Sequence, residues 1–173
     1  SLMISIVWDV TKRNRAENQL KESLSLLEAT LESTADGILV VDGRGRVKNF
    51  NRQFQDLWRL TDEVLDTRDD DQALAAATPL LTDPEAFLAR VRELYSQPDQ
   101  EGNGMLHFRD GRVVEYYSKP QFLGRRITGR VWSSRDVTET YEADQEQAKL
   151  LHQVATINEE LTHFAYVVSH DLK

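Results

Sequence analysis

The sequence contains no cysteine. That excludes a disulfide framework, thiolate metal sites and a cysteine nucleophile, and it agrees with a cytoplasmic protein. Long apolar runs are missing too. Stretches such as residues 38–41 are far too short to cross a bilayer, and no signal peptide is visible, although spans elsewhere in a longer parent are left open. Basic residues are the minority, 21 Lys and Arg against 29 Asp and Glu, for a net charge of −8. Nucleic acids and anionic membranes are met by basic stripes, so neither is an expected partner of these residues. What is present is 173 residues, 40% of them hydrophobic. That is enough for one domain with a real core plus some extra length, and it argues against disorder.

Glycine and proline are absent from both ends. All eight glycines and four prolines lie between residues 37 and 129. Because these residues interrupt helices and make turns, the chain divides into a turn-rich centre and two breaker-free arms. The first arm carries Leu20, Leu24, Leu27 and Leu31, at steps of 4, 3 and 4. The second carries Leu150, Val154, Ile157, Leu161, Phe164 and Val168, a longer seam of the same period. Each seam is one narrow stripe on an otherwise charged helix, with Glu142, Glu146, Lys149, Glu159 and Glu160 beside the second. A stripe of that width suits a partner helix better than a broad core, and a second copy of the chain is the simplest partner.

The centre reads as two strands, then helices, then three strands. An apolar run, a turn at Asp42-Gly43-Arg44-Gly45 and a second strand form a hairpin signal. Phe54, Leu57 and Trp58 stand at helical spacing. Asp83-Pro84 opens a second helix whose face holds Phe87, Leu88, Val91, Leu94 and Tyr95. Turns at Asp110-Gly111 and near Gly124 separate the last three strands. The expectation is an α+β domain, a five-stranded antiparallel sheet with helices on one face, flanked by N- and C-terminal coiled-coil helices.

The stretch ADGILVVDGRGRVKNFNRQF, with Asp42, Gly45 and Asn51, resembles the opening of a PAS domain, and the residues from DGRVVEYYSKP to TGRVWSSRDVT resemble its closing strands. The resemblance covers about residues 35–138 and ends in an Asp-x-Thr signature at Asp136-Val137-Thr138. One departure is the stretch LWRLTDEVL, where the family often has a glycine near the end of its first helix. The signature recurs as WDVT, so Asp9 and Thr11 resemble the end of a preceding PAS domain's last strand. Thr11 and Thr138 are expected to act as helix N-caps. Asp9 and Asp136 are expected to pin strand-to-helix junctions through a basic partner or a backbone N–H. The division implied is residues 1–11 as the remnant of a preceding PAS domain, 12–34 as a linker helix, 35–138 as the PAS domain, and 139–173 as a coiled coil.

The closing FAYVVSHDLK resembles the phosphoacceptor box of sensor histidine kinases, of the phytochrome-like group. The resemblance implies that residues 139–173 run into a truncated dimerisation and phosphoacceptor helix, with His170 as phosphoacceptor and Asp171 as general base or orienting group. His170 lies roughly 200° around the helix from Val168, away from the seam. A neutral imidazole is a nucleophile near neutral pH, and an adjacent carboxylate can take its proton. ATP and Mg²⁺ would belong to a catalytic domain missing from these residues, which alone should be inactive. The implied partners are a second copy of the chain through the helices and a downstream response regulator. The rival reading is a PAS interaction module feeding another output, such as a cyclase or phosphatase. A third is a purely structural coiled-coil spacer. His163, His107 and His152 read as surface or structural residues.

The resemblance also implies a small ligand between sheet and helices, of unknown identity. Phe54, Trp58, Leu74, Phe87, Leu106, Phe108 and Tyr116 are the pocket candidates, and plain core packing explains them equally well. Glu115 and Tyr117 either orient a ligand or face water. Without cysteine a flavin–cysteinyl adduct is excluded, and with no histidine in residues 69–98 a haem ligated from there is unsupported. No metal site is expected.

Overall fold

The computed structural model describes the backbone of residues 2–171 and the side chains of residues 12–170. Helix α1 (Leu2–Glu32) leads into strands β1 (Gly37–Asp42) and β2 (Val47–Phe50). Helices α2 (Arg52–Trp58), α3 (Asp62–Asp66) and α4 (Asp70–Ala77) follow, then a 3-10 turn and α5 (Pro84–Ser96). Strands β3 (Gly102–His107), β4 (Val113–Leu123) and β5 (Arg126–Asp136) precede the second long helix, α6 (Thr138–Asp171). The strands form one antiparallel sheet in the order β2-β1-β5-β4-β3. This is the expected α+β architecture, with the helices inserted after the second strand. Among the described residues no helix is long and apolar enough to cross a membrane.

Alternation along the strands decides which face is covered. In β4, Val114, Tyr116 and Ser118 point into the core, while Glu115 and Tyr117 face outward and share a hydrogen bond of 2.9 Å. The β1–β2 turn is stapled by Asp42, which accepts from the N–H groups of Arg44 and Arg46 and meets Lys48 Nζ at 3.3 Å. Gly45 there has φ 72, a left-handed conformation that suits glycine. Helix α5 starts as expected: Pro84 occupies the first turn and Asp83 accepts from Ala86 N–H at 3.0 Å. Phe87, Val91 and Leu94 are its buried face. Helix α2 ends on Arg59, which takes φ 51 and ψ 39. The left-handed cap that a glycine fits best is therefore present, with an arginine in it.

The buried side chain of Asn51 joins three elements. Its Oδ1 accepts from Ile38 N–H at 2.7 Å, on β1, and from Phe54 N–H at 3.0 Å, capping α2. Its Nδ2 donates to the carbonyls of Leu31 at 2.9 Å and Asp36 at 2.8 Å, and to Thr34 Oγ1 at 3.1 Å. One amide thus uses both its donor and its acceptor capacity, without water, to tie the end of α1 to the sheet and the first core helix. Gly37 lets this corner close, because a Cβ there would lie 2.7 Å from Phe54 Cα.

Beyond the corner the two long helices stand away from the domain. Leu20, Leu24 and Leu27 of α1 and the six residues of the α6 seam are all exposed in the single chain. Residues 8–11, where the resemblance suggests the end of a strand, are helical and continuous with α1. A strand needs a neighbour to take up its N–H and C=O groups, whereas a helix satisfies them internally. The side chains of Asp9 and Thr11 lie outside the described residues.

Replacing Asn51 by Ala strands the Ile38 and Phe54 amides and the Leu31 and Asp36 carbonyls, and should cost about 3 kcal/mol. Asn51→Asp keeps the acceptor but loses the donors, so it should release α1 while leaving α2 capped. Urea unfolding, with hydrogen exchange at residues 28–36, measures both effects. An Ala variant as stable as the parent would contradict this account.

Candidate functional site

Two places collect the expected site residues: the inside of the domain, and the edge where α6 leaves it. The core is a chain of rings. Trp58 lies 6.1 Å from Phe54, 5.9 Å from Phe87 and 5.4 Å from Phe108 between centroids. Phe87 meets Tyr116 and Trp132 edge-on at 5.8 Å and 6.3 Å. These edge-on contacts suit the ring quadrupoles, so the cluster is packed as well as apolar. A cavity of about 40 Å³ remains among them. Phe54, Trp58, Leu74, Phe87 and Tyr116 line it as expected from the sequence; Leu106 and Phe108 do not. Phe108 backs Trp58, and Leu106 lines a separate groove near Arg90 and His107. Glu115 and Tyr117 are on the opposite face of the sheet.

The cavity has a polar end that the pocket candidates did not include. Asp70, only 3% exposed, accepts a short hydrogen bond from the Tyr95 hydroxyl. Ser134 lies there too and accepts from Trp58 Nε1 at 3.3 Å. Burial pushes the Asp70 carboxyl up to about 6; the Tyr95 hydrogen bond opposes the rise, and Asp71 and Asp69 reinforce it. Tyr95 is pushed upward, first by burial and then by the Asp70 charge and hydrogen bond. Arg130, also buried, is committed elsewhere. It donates to Ser118 Oγ at 3.0 Å and to the carbonyls of Leu94 and Gln100 at 3.0 and 2.8 Å, closing the C-terminal end of α5. A signal for Asp70 exists in the sequence: Asp70, Ala73, Leu74 and Ala77 share one helix face. Inside an Asp-Asp-Asp run it reads instead as solvated surface.

At the exit of α6, Asp136 Oδ1 accepts from Thr138 N–H at 3.0 Å and from the Thr138 hydroxyl. The same hydroxyl accepts from Val113 N–H at 3.0 Å. Thr138 is therefore not the expected N-cap. The carboxylate of Asp136 takes the first-turn N–H, and Thr138 clasps strand β4. Val137 N–H reaches Val113 O at 2.9 Å, and Tyr141 packs edge-on to His107 at 5.6 Å. The end of α1 arrives at the same edge. Asp36 takes a two-pronged bond from Arg135, Nε to Oδ1 at 2.6 Å and Nη2 to Oδ2 at 3.1 Å, and a third from Ser133. At the far end of α6, His170 is exposed and stacks on Tyr166, one turn earlier, at 6.3 Å. The side chain of Asp171 lies outside the described residues.

The raised pKa of Asp70 makes a pH prediction. Its folded value, about 6, exceeds the ordinary 3.8, so folding favours the protonated form. The stability this group contributes is complete below about pH 4 and is lost as pH rises through 6. Asp70→Asn still accepts from Tyr95 but does not titrate. Relative to that variant, wild type should lose about 3 kcal/mol between roughly pH 3 and 7.5. Urea unfolding at four pH values checks this, and parallel pH profiles for the two proteins would contradict it.

Comparison with known proteins agrees with this geometry. A family described as "PAS domain" matches residues 25–92. The sensor protein DivL of Caulobacter vibrioides is 26% identical over 143 residues, which are 80% of this chain and 18% of that protein. The chain thus spans under a fifth of that relative's length. Among solved structures, the PAS domain of Bordetella pertussis BvgS superposes with a TM-score of 0.53 at 16% identity, over 76% of this chain and 98% of the other. An RNA-binding light-oxygen-voltage receptor gives a TM-score of 0.52 at 18% identity, over 80% of this chain and 39% of the other. At those identities the two structures speak for the fold alone. Sheet order and helix placement give the chain a PAS fold, residues 25–92 match a PAS-domain family, and the chain is similar in sequence to a sensor protein.

Proposed function

We propose that the chain is the sensory and signal-transmitting part of a two-component sensor histidine kinase, relaying the state of the PAS core through α6 to phosphoacceptor His170. The observation that carries this reading is the continuity of α6. It is clasped to the sheet at Asp136, Thr138 and Val113, runs without a break for 34 residues, and presents an unpartnered apolar seam before reaching His170. Similarity to a sensor protein over 80% of the chain supports it.

In this reading two copies pair through the seams, in parallel, so that both His170 rings are held rigidly and remain open to an ATP-bearing domain. ATP and Mg²⁺ are bound by that domain, outside these residues. Nitrogen of neutral His170 attacks the γ-phosphorus. The N–P bond forms, the bond to the β-phosphate oxygen breaks, ADP departs, and Asp171 takes the imidazole proton. A response regulator then accepts the phosphoryl group. A change in the core alters the hydrogen bonds at Arg135, Asp136 and Thr138, and the rod carries the change about 48 Å, at 1.5 Å per residue, to the imidazole.

In the full-length protein, His170→Ala should abolish labelling by γ-labelled ATP, and persistent labelling would favour an output that does not use this residue. One residue inserted near Gln147 should turn His170 by about 100° and uncouple labelling from signal. An unchanged response would rule out a rigid rod. Leu161→Glu, in the seam, should convert a dimer to a monomer by light scattering.

A further inference from the structure

We propose that the core cavity is a binding site for a small primary ammonium ion, an alkylamine of two or three heavy atoms held by the Asp70 carboxylate. The chemistry follows from the mismatch between the cavity's walls and its one polar end. The walls are rings and aliphatic groups, among them Trp58, Phe87, Trp132 and Ala73. The cavity, about 40 Å³, offers the space of about three water-sized spheres at roughly 10–15 Å³ each, which suits two or three heavy atoms and is too small for an aromatic cofactor.

At the polar end sits a carboxylate that is 3% exposed and has one side-chain donor, the Tyr95 hydroxyl. An ionised carboxylate has about four acceptor positions, and a buried one is costly unless paired. Arg130 is the one buried basic side chain among the described residues, and its bonds go to Ser118 and the carbonyls at the end of α5. Asp69 and Asp71 add negative charge beside Asp70. An ammonium group supplies the missing positive charge with three donors, and the faces of the neighbouring rings attract the same charge. Its alkyl group suits the apolar remainder. A neutral alcohol of equal size brings one donor and no charge.

An entry route is also present. Asp70 and Tyr95 line the cavity on one side and, on the other, an open groove shared with Asp42, Gly43 and Arg130. The pair is the partition between interior and solvent, and Tyr95 is 36% exposed. Displacing the Tyr95 hydroxyl from Asp70 exposes the carboxylate and opens the partition in one movement. The site would thus connect amine binding to the packing of α4 against α5, and its role as a signal rests on the sensor reading above.

The test is a titration of the purified chain with ethylammonium chloride, following the indole N–H signals of Trp58 and Trp132 by NMR, with ethanol and potassium chloride as matched controls. Saturable shifts with Kd on the order of 1 mM are expected, since affinity per atom caps what three heavy atoms can reach. Binding should weaken at least tenfold in Asp70→Asn, and should weaken at pH 5, where the carboxylate is protonated. Ala73→Val, which fills the cavity and leaves Asp70 in place, should also block it. Shifts that never saturate, equal affinity in Asp70→Asn, or equal binding of ethanol would each overturn the proposal. Labelling of His170 in the full-length protein is a separate readout. Amine binding that leaves labelling unchanged would sustain the site and count against the relay.

Discussion

The fold turns on what a single amide does at one corner. Asn51 is enclosed, so each of its polar atoms must find a protein partner, and the partners belong to α1, the 33–36 connection, β1 and α2. A hydrophobic side chain of the same size fills the space but leaves those backbone groups unpaired, and a carboxylate has no hydrogens for the two carbonyls. With the corner set, the start of α2 is fixed against β1. Trp58, nearly two turns on from Asn51, reaches Ser134 and Phe87. The ring cluster is thereby joined to the corner through α2.

The buried polar groups divide by how fully they are matched. Ser118, Arg130 and Ser134 are bonded to one another's elements or to helix-end carbonyls, and they lock strands to α5 and α2. Asp70 is held by one hydroxyl, in a setting that pushes its carboxyl toward neutrality. Structural polar groups are normally satisfied, and imperfectly satisfied ones gather where a protein does something. Asp70 therefore differs from the other three in being held by a single side chain, with its carboxyl pushed up to about 6.

Much of the architecture was legible because local chemistry and fold agree. Absence of glycine and proline marked both long helices, Asp83-Pro84 marked the start of α5, and Asp42 with Gly45 marked the first turn. The pocket was legible in part. Large apolar side chains at helical or strand spacing identify a core, but spacing does not say which of them border an empty space; Leu106 and Phe108 are core residues that miss the cavity. Asp70 stayed hidden because charge dominates the reading of an acidic run, although its phase with Ala73 and Ala77 points inward. Thr138 was recognised as part of a junction, while its role was not. Whether a threonine caps its own helix or clasps a strand depends on Val113, 25 residues earlier in the chain, and only the folded geometry brings the two together.

The bond between Asp36 and Arg135 has a consequence for how such a protein is assembled and modified. Residues 99 positions apart in the chain touch, so the domain enters and leaves at one doorstep. A unit of this kind can be spliced into a helical stalk, or dropped from it, with little displacement of whatever lies above and below. Duplication, loss or exchange of such a domain then becomes a matter of keeping the helical phase on either side of the splice.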